Sequence, residues 1–237
     1  MSLFVNTKYR SDRTEIMDDF SSNGDILRDT LDKLAVINKW LGGNRVTINA
    51  LKKLIKDHPK GREIRIIDLG CGGGDLIRDV ANYFYKNGYS FSIVGIDANK
   101  DTVAYATELS TMYPEISFRH CNIFSEEFKS IEYDLVLSSL FLHHFKDEEL
   151  IEFLPEILGK ASLGIVVNDL HRHPIAYYLF SMLCLLIPNN MVKEDGLTSI
   201  LKGFKHQDLE IYSKKIGAKY QIRWKWAFRY QWIIQNN

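Results

Sequence analysis

Two short segments of the sequence hold groups able to move a proton. One is Leu142-His143-His144-Phe145, and the other is Val167-Asn168-Asp169-Leu170-His171-Arg172-His173-Pro174. Imidazole titrates near neutrality, so His143 and His144 are candidates for a general base. Adjacent residues cannot be placed equally, which makes His143 the substrate-facing candidate and His144 the structural one; the competing reading is that both only cap or pack a loop. Asp169 can orient His143 or His171, or pair with Arg172. Arg172 can bind a carboxylate or a phenolate, or form an ion pair that holds the next helix. The candidate catalytic set is therefore His143, Asp169, His171 and Arg172. The His-X-His spacing of His171 and His173 lacks clear acidic partners, so no metal is expected.

A third segment is suited to holding a ligand. Ile66-Ile67-Asp68-Leu69 is a buried-strand run, and Gly70-Cys71-Gly72-Gly73-Gly74-Asp75 follows it and opens a helix. A glycine-rich turn there lets a ligand approach the backbone, and the free N–H groups of the helix start can hold its polar atoms. A dinucleotide fingerprint starting at Gly70 needs a small residue at position 75, where Asp75 stands, which argues against an NAD-linked oxidoreductase. The pattern Asp68-x-Gly70-x-Gly72-x-Gly74 instead resembles the signature of class I methyltransferases that use S-adenosylmethionine (SAM). The resemblance implies SAM as cofactor and S-adenosylhomocysteine (SAH) as product, with Asp68, Gly70, Cys71 and Gly72 beside it.

The next strand ends supply further cofactor candidates. Asp97, followed by Ala98, can accept two hydrogen bonds from a ribose diol or cap the next helix. Asn122 stands where the family commonly has Asp, and its carbonyl oxygen can still accept from an adenine amino group; the alternative is a turn Asn. Ile123 would pack on the adenine face. Ser138 ends the fourth strand, in a segment that resembles the family motif whose strand-end residues flank the methionine part of SAM.

Methyl transfer from a sulfonium is an in-line displacement that depends on alignment and desolvation. A phenol titrates near pH 10, so transfer to a phenolic or enolic oxygen gains from a nearby base, which returns the argument to His143.

These groups need a scaffold that gathers strand ends. From Glu63 onward short apolar runs alternate with helical stretches. Strands are expected over 64–69, 91–97, 116–122, 133–138 and 164–169, with helices over 76–86, 100–113 and 147–158. This is the rhythm of βαβ units and a parallel sheet. Residues from about Ser11 to Asp57 read as helices, broken at Gly42-Gly43-Asn44. An apolar helix is expected over 174–191 and another over 205–216. The aromatic and β-branched tail, 219–234, reads as two strands turning near Ala227. This order of elements resembles the α/β, doubly wound, seven-stranded and mostly parallel Rossmann-like sheet of class I methyltransferases. Residues 1–60 form an N-terminal helical cap, and residues 61–237 form the SAM-binding domain with a helical insertion at 174–204, all one compact unit.

Two patches narrow the resemblance. They are Glu15-Ile16-Met17-Asp18-Asp19 with Val36–Gly43, and Val167–Arg172 with Asp195-Gly196-Leu197-Thr198-Ser199-Ile200. Together they resemble bacterial small-molecule methyltransferases of secondary metabolism associated with type III polyketide synthases, and more distantly the ubiquinone and menaquinone methyltransferases. Glu194 replaces a His of that subgroup. The resemblance implies that the N-terminal helices and the Pro174–Ile200 insertion cover the cofactor and form the acceptor pocket. Tyr177, Tyr178, Phe180, Met182 and Leu183 offer an apolar lining for an aromatic or lipidic acceptor, and they also suit helix packing or an interfacial membrane contact.

The chain has 237 residues and no formal net charge, so no global field draws it to nucleic acid or anionic lipid. From Gly196 onward there are eight Lys/Arg against two Asp/Glu, which fits a solvated basic face. Three widely spaced cysteines form no zinc pattern and fit a reducing cytoplasm. The start of the chain is polar, unlike a signal peptide, and the longest apolar run, 175–187, is too short to span a bilayer. The favoured activity is O-methylation of a small aromatic, polyketide or quinone-like molecule. C- or N-methylation, a nucleic-acid methyltransferase suggested by the basic aromatic segment 223–230, and a non-catalytic SAM-binding module remain alternatives. Oligomeric state is not legible.

Overall fold

The computed structural model describes residues 5–18 and 23–237. Its framework is one seven-stranded sheet. The strands are β1 (Ile64–Leu69), β2 (Phe91–Asp97), β3 (Ile116–His120), β4 (Leu135–Ser139), β5 (Gly164–Leu170), β6 (Lys219–Lys225) and β7 (Arg229–Gln235). Their spatial order is β3-β2-β1-β4-β5-β7-β6. Every pairing from β3 to β5 is parallel, and β7 runs antiparallel between β5 and β6. The chain order reverses between β1 and β4. At such a switch point the loops diverge and leave a crevice at the carboxyl ends of the strands.

The apolar strands are buried on both faces, as a parallel sheet covered by helices requires. α2 (Gly43–Leu54) and α3 (Asp75–Asn87) cover one face, where Ala50, Leu51, Ile77, Val80 and Phe84 meet Ile64, Ile66 and Leu135. α6 (Asp147–Lys160) and α9 (His206–Ile216) cover the other, where Leu150, Leu154 and Tyr212 meet Ile67, Val136 and Trp232. α4 (Lys100–Leu109) and the short α5 (Glu126–Lys129) complete the βα units. α1 (Gly24–Trp40) lies over the glycine turn. A methyl placed on Gly72 would stand 3.6 Å from Leu31, and one on Gly73 would stand 3.8 Å from it.

Several sequence expectations are corrected. The third strand stops at His120 and the fourth runs over 135–139. Residues 11–15 belong to no helix or strand, and among the described residues a single turn of 3₁₀ helix, Ile16–Asp18, precedes α1. The helix expected over 174–191 is three pieces: α7 (Pro174–Leu183), a 3₁₀ turn (Cys184–Leu186) and the start of α8 (Asn190–Lys202). Pro188 has no N–H to continue a helix and biases Ile187 toward extended backbone, found at φ −100°, ψ 116°. The tail forms the expected hairpin, turning at Ala227 and Phe228, both with positive φ. Asp19 of the acidic patch lies outside the described residues.

Candidate active site

The glycine turn is shaped by its residue types. Gly70, Gly72 and Gly74 all have positive φ, and a Cβ at Gly70 would collide with the ring of Phe141. Asp97, at the end of β2, accepts from the N–H of Gly72 at 3.2 Å and of Asn99 at 2.9 Å. Burial raises its pKa against those bonds. Cys71 is buried, and its N–H donates to Ile96 O. Ala98 accepts from His120 Nε2, 3.0 Å away.

Two buried polar atoms at the switch point have no hydrogen-bond partner, Asp68 Oδ1 and Ser138 Oγ. Asp68 is 2% exposed, and burial followed by the charges of Asp75 and Asp97 holds its pKa well above the carboxylate range. A buried carboxyl without a partner is costly, and a cationic or donor-bearing ligand would relieve it. This is the donor and acceptor set that a sulfonium amino acid with a ribose needs, so the residues fit SAM.

Asn122 and Ile123 sit less openly toward that cleft. Asn122 is exposed, and its Oδ1 accepts from Phe124 N at 2.9 Å, a tight side-chain turn. Ile123 is 6% exposed and packs into the core with Leu69 and Ile96.

His143 and Asp169 come together. Leu140, at the end of β4, adopts φ 55°, and the next turn of 3₁₀ helix, Leu142–His144, drops His143 onto β5. His143 Nδ1 lies 2.7 Å from Asp169 Oδ1, and both residues are buried. Asp169 Oδ1 also accepts from Leu170 N. Burial pushes the Asp169 carboxyl upward, but the charge and hydrogen bond of His143 outweigh it, and the pKa lies below the ordinary value. His143 Nε2 has no hydrogen-bond partner and faces Glu15 Oε1 across 3.7 Å.

Glu15 comes from the irregular N-terminal segment, which reaches the loop after β4 through Arg10 and His143. Asp195 of α8 holds that segment by accepting from Ile16 N at 2.6 Å and Met17 N at 3.0 Å. Arg10 ties it down by donating to His143 O, Lys202 O and Asp147. Lys202 of α8 is buried, with its Nζ 3.4 Å from Glu15 Oε1 and 3.1 Å from Asp18 Oδ2. His144 stacks on His143 with ring centroids 4.4 Å apart and binds Asp18 at 2.7 Å. Burial alone would lower the His144 pKa; the Asp18 hydrogen bond and the charges of Glu15 and Asp18 together raise it. Glu15, His143 and His144 have metal-ligand atoms within 4.8 Å of one another, and the Lys202 ammonium is the cation facing Glu15.

The other two catalytic candidates lie elsewhere. Arg172 pairs with Asp208 at 3.1 Å and donates to the carbonyls of Thr7 and Gly203, so it ties β5 to α9 and the N-terminal segment. His171 accepts from Trp224 Nε1 at 3.2 Å and packs against Tyr230. Burial, then the charges of His173, Arg172 and Lys205, push its pKa down to about 4. Sequence reasoning assigned no role to Lys202, met Arg229 only within the basic aromatic segment 223–230, and reached Glu15 and Asp18 only through the family-like patch around them.

Residues 66–159 match a family model described as a methyltransferase domain. Over those residues the sequence is similar to a methyltransferase domain. No curated protein matches the chain by sequence. Among solved structures, a plantazolicin methyltransferase in complex with SAH superposes with a TM-score of 0.68 at 16% identity, covering 93% of each chain. Human N-acetylserotonin methyltransferase in complex with SAM gives 0.64 at 17% identity, over 92% of this chain and 58% of that one. The magnesium protoporphyrin IX methyltransferase from Synechocystis PCC 6803 gives 0.55 at 13% identity, over 82% and 84%. At these identities the likeness establishes the shared fold.

Proposed function

We propose that this methyltransferase domain acts on a hydroxyl oxygen of a small aromatic, polyketide or quinone-like molecule. The observation that carries the reading is the pair of buried acceptors without a hydrogen bond, His143 Nε2 and Glu15 Oε1, 3.7 Å apart. The gap is too long for a hydrogen bond, and a donor placed beside it would satisfy both atoms. Asp169 takes the Nδ1–H of His143, which leaves Nε2 as the proton acceptor. Glu15 orients the incoming O–H, and Lys202 balances its charge. The solved relatives are named for plantazolicin, magnesium protoporphyrin IX and N-acetylserotonin, which supports a small-molecule acceptor.

Bound SAM supplies an electrophilic methyl group. In this reading Asp68, Gly70, Cys71, Gly72 and Ser138 hold its methionine end, and Asp97, Ala98, Asn122 and Ile123 hold its nucleoside. Residues 5–18, 23–60 and 174–204 form the cap over the body of the domain, with Leu31 over the glycine turn and the N-terminal segment over His143. That cover excludes water from the reacting oxygen. Ile175, Leu179, Met182, Leu185 and Leu186, on α7 and the turn after it, are exposed apolar residues, which favours a lipophilic acceptor drawn from an apolar phase. No helix among the described residues is long and apolar enough to cross a membrane.

The test is methyl transfer from labelled SAM to a panel of phenols, alkylresorcinols, hydroxyquinones and amines, with product identified by mass spectrometry. O-methyl products that vanish in His143→Ala support the reading. Transfer only to carbon or nitrogen, undiminished in His143→Ala, would overturn it.

A further inference from the structure

Among the described residues, Arg229 is a buried cation without a counter-ion in hydrogen-bonding reach. It opens β7, is 3% exposed, and neither its Nε nor its Nη1 has a hydrogen-bond partner. The other buried arginine, Arg172, has three acceptors. Asp169 and Asp75 are close enough to stabilise the Arg229 charge at a distance, and burial still pulls its pKa down to about 10. A guanidinium is retained in such a place at a cost unless something binds it.

Its position says what it can reach. Arg229 pairs with Leu170 across β5 and β7, which sets it on the face that Asn168 shares. Asn168 Nδ2 donates there to Gly43 O, Thr47 and Ser139. The guanidinium carbon would stand 3.1 Å from a methyl on Gly43, so the fork lies against the turn between α1 and α2. The same turn reaches Asp75, at the start of the glycine-loop helix, through Asn44. Across the switch point, Asp68 is the complementary case, a buried acid with an unpartnered oxygen.

We propose that Arg229 is the receptor for a carboxylate bound in the strand-end cleft, held through its planar fork of N–H donors. The proposal rests on the reading that this cleft holds SAM. The carboxylate is either that of the cofactor's methionine tail or one on the acceptor.

The experiment compares wild type with Arg229→Met and Arg229→Lys. SAH and 5′-methylthioadenosine, which lacks the carboxylate, are titrated calorimetrically into each. If the cofactor is the source, Arg229→Met binds SAH about 10- to 100-fold more weakly, the worth of a charge-assisted pair, and binds methylthioadenosine as wild type does. If the acceptor is the source, SAH affinity is unchanged, and KM rises for a hydroxybenzoate but not for its methyl ester. Arg229→Lys keeps the charge and loses the fork, and falls between. Melting without ligand separates a binding role from a structural one. Arg229→Met melts no lower than wild type if the charge is unpaired, and gains less from SAH where the cofactor is the source. Unchanged SAH affinity with unchanged KM for both acceptors, or a ligand-free melting point well below wild type, overturns the proposal. Failure of wild type to bind SAH would instead sink the cofactor reading beneath it.

Discussion

His143 Nε2 and Glu15 Oε1 face one another across 3.7 Å, one from the loop after β4 and the other from an irregular segment more than a hundred residues earlier. Neither atom has a hydrogen-bond partner, and each residue is further fixed from behind. Asp169 holds the far nitrogen of His143, and Ser199 Oγ donates to Glu15 Oε2 at 2.7 Å. The first prediction follows from this arrangement. Asp169→Asn keeps the shape of the residue and removes the charge that fixes the His143 tautomer. Its kcat should fall by roughly 100-fold or more, within the range a positioned base contributes, while SAH affinity stays within about twofold. Stopped-time assays with calorimetry check this. A parallel loss of SAH binding would move Asp169 from the acceptor side to the cofactor side.

Glu15 separates orientation from charge. Glu15→Gln can still accept from an acceptor hydroxyl but leaves Lys202 with only Asp18 as ionic partner. KM for a phenol should rise several-fold with kcat reduced less, whereas Glu15→Ala loses both. Equal effects of the two variants on kcat alone would make the carboxylate's charge, and not its hydrogen bond, the active quantity. Steady-state kinetics over a range of acceptor concentrations distinguishes them.

The strands were the most legible part of the chain, because burial on both faces writes continuous apolar runs that only a covered parallel sheet explains. The glycine turn was equally plain, since its residue types are dictated by positive φ and close approach. α8 was not legible. The insertion was expected to be helical, but its sequence marked no separate helix over 190–202, where Asp195 and Lys202 are buried because they bind the N-terminal segment. β7 misled in another way. The segment 223–230 looked like a strand with one wet face. Arg223 and Trp224 on β6 are indeed exposed, but β7 is sandwiched between β5 and β6, and Arg229 goes inside. Pairing partners decide such burial, and no local pattern records them.

Arg172 illustrates a site-like residue with structural work. Its donors satisfy Thr7 O, Gly203 O and Asp208. Arg172→Ala should therefore destabilise the fold by about 1–3 kcal/mol, the cost of leaving such buried acceptors unpaired. The folded fraction should keep its KM for both substrates. Chemical denaturation gives the first quantity and kinetics below the transition gives the second. A folded variant with a selectively raised acceptor KM would return Arg172 to the binding site.

The clamp between His144 and Asp18 makes the closure of the N-terminal segment depend on pH, and the sign can be worked out from both partners. The His144 pKa is raised: burial opposes the charge, but Asp18 and Glu15 outweigh burial and the nearby Lys202. A raised histidine contributes stability that is full below its unfolded value, about 6.5, and that fades as pH climbs through the folded value. The Asp18 pKa is lowered; burial opposes this, and His144, the backbone of Glu15 and Lys202 outweigh it. Its contribution is present above about pH 4 and is lost only on stronger acidification. The clamp is thus complete between roughly pH 4 and 6.5 and loosens on the alkaline side. Wild type should melt above His144→Gln by the largest margin near pH 6, and the margin should shrink by pH 9. Limited proteolysis within residues 5–18 should speed up over the same interval in wild type and stay fast throughout in the variant. A margin that grows with pH would mean that neutral His144 is the form the fold prefers. The segment would then be held by Arg10 and Asp195 alone.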